Sequence, residues 1–140
     1  MKHIIFSFSL VLISCNTQKS DVLKQTACID TILKQDDSLG RIRNDASKEH
    51  SLSNTILSYT DALNALDYSN CPESFSSAFK GHIDAWNNMM LITNKYPTLR
   101  GEMHDVFDSI KTTKDSVAFK IFLKDIWDTW DTIEKVKSLN

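Results

Sequence analysis

Apolar residues recur every three or four positions along most of this chain, the spacing that lines one face of an α-helix. Over residues 21–38, Val22, Thr26, Ile29 and Leu33 share a face, and Gly40 just beyond them supplies a helix end. The stretch RIRNDASKEHS, residues 41–51, holds a single apolar residue, Ile42, and reads as a loop or a frayed turn. A second helix over 52–67 sets Leu52, Ile56, Tyr59, Leu63 and Leu66 in a heptad-like seam that SNCP breaks. Pro72 suits the first helical position, where its missing N–H is not needed, and Glu73 suits the positive end of the helix dipole. The third helix then runs to residue 94, where KYP stops it because the residue before a proline is pushed out of the α region.

A shorter helix over 99–110 carries Leu99, Met103, Val106, Phe107 and Ile110. Asp115 or Ser116 provides an N-cap for a last helix over 116–137, which aligns Phe119, Phe122, Leu123, Ile126, Trp130 and Ile133. No β-hairpin signal appears. Short loops between amphipathic helices favour antiparallel neighbours, so the pattern predicts an all-α, up-down bundle of four main helices plus one short helix, as a single domain over 21–140.

The first fourteen residues follow a different rule. A basic start, Lys2 and His3, leads into the apolar run Ile4 to Ile13, about ten residues and far short of the ~20 that cross a membrane. This fits the apolar core of a secretory signal peptide. Its end, Leu12-Ile13-Ser14-Cys15, resembles the lipobox of bacterial lipoproteins. The resemblance implies that residues 1–14 are cleaved and that Cys15 becomes the first residue of the mature chain, carrying diacylglycerol and an N-acyl chain of the palmitate type. Several acyl chains, at ~0.8 kcal/mol per buried methylene, make a durable anchor. It also implies a place in the cell envelope. Asn16, where an aspartate would retain some lipoproteins at the inner membrane, favours the outer membrane, facing the periplasm. Residues 15–20 read as a lipidated polar tether. The competing reading is an ordinary secretory signal with a chance cysteine.

Composition narrows the partners. Removing residues 1–14 takes Lys2 from the 16 Lys+Arg and nothing from the 18 Asp+Glu, leaving a formal charge of −3, and no basic stripe runs along the chain. Nucleic acid is therefore set aside. Beyond Cys15 two cysteines remain, Cys28 and Cys71, which in an oxidising compartment read more naturally as a disulfide than as a metal pair, free thiols being the alternative.

The chemistry centres on His82. At ~100° per residue, Phe75, Trp86 and Met89 fall within about 40° of it, whereas Lys80, Asp84 and Asn87 fall opposite, so it lies on the buried stripe. A buried imidazole needs hydrogen-bond partners. Trp127, Trp130 and Glu134 form an i, i+3, i+7 ridge on the last helix, and a His82–Glu134 pair is expected, which would raise the histidine pKa. The sharper alternative makes His82 a haem or metal ligand with Met89, Met90, Met103 or His104 as second ligand. Against it, CxxCH is absent, and Glu102 and His104 are too close in sequence to share a helix face. Neither metal nor cofactor is expected. Asp125, Asp128 and Asp131 read as a solvated helix face, and Glu102 with His104 and Asp105 does not have the spacing of a closed zinc site.

The pattern CPxxFxxAFxxHxxAW over 71–86, with TWxxxE over 129–134, resembles helical lipoproteins of unknown function from Bacteroidota-type bacteria. That resemblance implies the fold and the location, and no activity. Without a glycine-flanked nucleophile, nothing points to an enzyme. The expected role is a non-catalytic binding or structural module at the membrane, engaging an envelope protein or small molecule, the alternative being a haem- or metal-binding bundle.

Overall fold

The computed structural model describes residues 15–139, with side chains from residue 19 onward. The signal segment 1–14 and the thiol of Cys15 lie outside the described residues. Five helices form the bundle: α1 (Cys15–Ala46), α2 (Leu52–Asn64), α3 (Glu73–Thr93), α4 (Met103–Lys111) and α5 (Ser116–Lys137). Four are long and one is short, as the periodicity predicts, and no strand occurs among the described residues. The central helix is α3, which packs on α5 along one side and on α2 along the other, while α1 packs on α2 and α4 on α5.

Their shared core is the apolar face of each element: Ile29 and Ile32 of α1, Ile56 and Leu63 of α2, Phe75, Phe79 and Met89 of α3, Val106 and Ile110 of α4, and Phe119, Ile126 and Ile133 of α5. Fully burying each such side chain contributes roughly 1.5–3 kcal/mol. A disulfide joins Cys28 of α1 to Cys71 at the foot of α3, with Cα atoms 5.2 Å apart.

Several boundaries differ from the sequence expectation. Helix α1 does not stop before Gly40 but continues to Ala46, so the loop expected from residue 41 starts six residues late. Glycine inside a helix costs about 1 kcal/mol relative to alanine, and side chains on both flanks of Gly40 are fixed by burial and offset that cost. At its other end, α1 is already helical from Cys15, where a tether was expected. Residues 19–27 are exposed throughout, so Val22 and Thr26 face solvent, and the packed stripe begins at Cys28 and Ile29.

The α4 helix starts at Met103, four residues later than expected, because Gly101 takes φ 142, a left-handed value that breaks any helix before it. That glycine is tied to the α1–α2 corner: its N–H donates to the Ser47 carbonyl at 3.1 Å, and the Ser47 hydroxyl donates to the Gly101 carbonyl at 2.8 Å. Helix α2 ends at Asn64, three residues short of expectation, and begins with Ser51 accepting the Asn54 N–H on its hydroxyl at 3.3 Å. Asp115 does occupy the N-cap position of α5, but its carboxylate leaves the helix end to accept from Lys95 and from the Tyr96 hydroxyl, both at 2.7 Å.

Candidate functional site

Four helices direct polar side chains into the interior at one level of the bundle. Helix α1 contributes Asp36 and Arg43, α2 Tyr59, α3 His82 and Trp86, and α5 Thr129 and Trp130. All stand on the same stripes as the apolar core. On α1 the buried positions 29, 32 and 36 continue through Leu39 and Arg43, so the helical face stays in register while its chemistry changes from apolar to charged.

His82 is 4 % exposed, and both ring nitrogens are engaged. The Trp86 indole N–H donates to Nε2 at 3.1 Å, and Nδ1 lies 2.9 Å from the Thr129 hydroxyl. An indole nitrogen can only donate, so Nε2 must be an unprotonated acceptor and the proton belongs on Nδ1. Nδ1–H then donates to Thr129, whose own hydrogen returns to a carbonyl of α5, either Asp125 or Ile126, both at 2.9 Å. The result is a one-way relay of donors from Trp86 through His82 and Thr129 into the α5 backbone.

The expected His82–Glu134 pair does not form. Thr129 and Trp86 occupy both nitrogens, and Glu134 lies exposed more than a helical turn further along α5. The pKa consequence is also reversed. Burial, reinforced by the positive charge of Arg43, lowers His82 to about 4, with only the Ile126 carbonyl pulling upward. A metal at Nε2 would have to displace the Trp86 indole. Among the described residues no group of three or more His, Cys, Asp or Glu side chains could hold a metal ion. The acidic residues Asp125, Asp128 and Asp131 are exposed, with Asp128 paired to Lys124, and His104 touches Asp105 at 3.1 Å on the surface.

Beside this relay lies a second group, which the sequence reading missed. The Arg43 guanidinium is clamped between two rings, its central carbon 3.9 Å from the Trp86 centroid and 4.4 Å from that of Tyr59. Such stacking is worth ~0.5–2 kcal/mol per ring as the cation loses water. The two rings meet edge to face at 5.7 Å, and the Tyr59 hydroxyl donates to Asp36. Burial pushes the Asp36 carboxyl upward, with the Tyr59 hydroxyl and Arg43 pulling it back, and burial likewise raises Tyr59. Arg43 is drawn below its ordinary value by the same cause, partly restored by Tyr59 and Asp36. Its Nε and Nη2 donate to Asn44 at 3.3 and 3.2 Å, whereas Nη1 is buried with no acceptor among the described residues.

A cleft of about 510 Å³ opens over these residues between α1, α3, α4 and α5. Arg43, His82 and Trp86 line its inner wall, Met103 and Phe107 of α4 and Leu123 of α5 its apolar side, and Trp127 stands with Trp130 at its edge. Trp127 is 61 % exposed. A smaller cavity of about 250 Å³ lies between α1 and α2, and Arg43 lines both.

Set against known proteins, the chain matches no family model, no curated protein and no solved structure. The cleft and its residues therefore carry the functional argument by themselves. Among the described residues no helix is long and apolar enough to cross a membrane.

Proposed function

We propose that this chain is a lipid-anchored envelope protein, held at the membrane through Cys15, whose helical domain binds a small molecule without transforming it. The observation that carries the binding half is the cleft. Its volume lies within the ~300–1,000 Å³ typical of small-molecule sites, and its walls combine aromatic surface with a few convergent polar groups. The polar groups at its inner wall are committed to holding one another. His82 is kept neutral between a donor and an acceptor, and Tyr59 spends its hydroxyl hydrogen on Asp36, so no side chain there is poised as a nucleophile with its base. Such an arrangement orients and recognises. The lipobox-like residues Leu12 to Cys15 support the anchoring half, and tethering would raise the local concentration of the binding domain at the membrane.

Both halves are testable. Cys15→Ser in the full chain moves the protein from the membrane fraction to the soluble one; retention in the membrane rules out this anchor. Native mass spectrometry of protein extracted from its own membranes shows a bound small mass that Trp127→Ala loses. A bare chain in both preparations counts against the binding reading.

A further inference from the structure

We infer that the cleft, on the reading that it is a binding site, takes a small carboxylate with a flat apolar body, the carboxylate on Arg43 and the body against Trp86, Trp127 and Trp130. Most charges around the cleft are already held by a partner. Asp37 is held by Arg41 at 2.6 Å, Glu102 by Lys48 at 2.8 Å, and Asp36 accepts the Tyr59 hydroxyl. The remaining titratable side chain at the rim, His104, pairs with Asp105. Arg43 is in no ion pair at contact distance among the described residues, Asp36 acting on it only through space while bonded to Tyr59, and its Nη1 is the one buried side-chain polar atom there that lacks a hydrogen-bond partner. A guanidinium offers five N–H donors in a fixed fork that matches a carboxylate. Two aromatic faces hold that fork in place, so little freedom remains to be lost when an anion binds.

The body of the ligand follows from the other walls. Trp130 lies 5.4 Å from the His82 ring, and Met103, Phe107 and Leu123 complete an apolar side. Trp127 leaves most of a large ring in solvent at the edge, where a flat ligand would cover it. A volume of about 510 Å³ leaves ample room for a molecule of two fused rings.

The test uses the isosteric pair 2-naphthoate and 2-naphthamide, titrated calorimetrically into the full chain with its disulfide intact. The carboxylate is expected to bind about tenfold or more tighter than the amide, as a charge-assisted hydrogen bond implies. Arg43→Met is expected to erase that preference while leaving amide binding in place, and Trp127→Ala, an exposed position that does not threaten the fold, to weaken both ligands. Equal affinity of the wild type for acid and amide overturns the anionic assignment and leaves the cleft a neutral, aromatic site. Binding of neither compound at millimolar concentration overturns the binding reading along with it. If Arg43→Met fails to fold, the wild-type comparison of acid with amide still decides.

Discussion

Replacing His82 by glutamine should change how stability depends on pH, and the size of the change follows from the relay. In the folded protein Nε2 must accept from the Trp86 indole, so a proton there would set two donors face to face. Burial and Arg43 place the folded pKa at about 4 against 6.5 in an exposed chain. The folded value lies below the unfolded one, so between these limits the unfolded chain takes up a proton that the folded chain refuses. The stabilisation is complete above pH 6.5, declines as the pH falls, and is exhausted near pH 4. At ~1.4 kcal/mol per unit, the interval corresponds to about 3 kcal/mol. Glutamine can receive the indole hydrogen and donate to Thr129 but cannot titrate. His82→Gln should therefore cost ~1–2 kcal/mol at pH 7, and by pH 4 it should be the more stable form. Asp36, whose raised pKa acts in the opposite direction, is present in both proteins and drops out of the difference. Urea unfolding at whole pH steps from 7 to 4, followed by circular dichroism, measures this. Parallel stability curves for the two proteins would refute both the tautomer and the relay.

Two further substitutions probe the frame that holds the site. The Cys28–Cys71 bond spans 43 positions, and opening it by paired serine substitution should remove about 4 kcal/mol on the chain-entropy account, lowering the melting temperature by on the order of 15 °C; a shift of only a degree or two would mean that the unfolded chain is already held compact. Gly40→Ala should stabilise by roughly 0.5–1 kcal/mol, since an added Cβ meets nothing nearer than Arg43 Nη2 at 3.8 Å, and a loss on thermal melting would show that α1 bends at that residue.

The helices were legible in the sequence wherever apolar residues marked the buried face. Leu52, Ile56, Tyr59 and Leu63 lie in the core along the expected seam, and α5 spans the expected residues throughout. His82 likewise stands on the buried stripe where its spacing puts it. What the pattern hides is a polar residue on a core-facing position. Asp36 and Arg43 continue the α1 stripe at three- and four-residue intervals, but their chemistry resembles a solvated turn, and Gly40 between them imitates a helix end. Periodicity continued through charged residues would have found them. The partner of His82 was missed for a different reason. A carboxylate is the more conspicuous candidate, yet a threonine five residues earlier on α5 can accept from the histidine and pass its own hydrogen to a backbone carbonyl, which suits a neutral histidine beside an indole.

The disulfide also sets a mechanical path through the molecule. Residues 19–27 of α1 stand exposed, clear of the bundle, and Cys28 is among the first residues to touch it. Tension applied to those residues passes through a covalent bond into the foot of α3, the helix that packs on both α2 and α5, before it can peel α1 from α2. Asp36 and Arg43 lie beyond that junction, on the unloaded part of α1. The cleft is thereby insulated from pulling at the exposed end, and a load there would be felt first at Cys71 and last at the ligand.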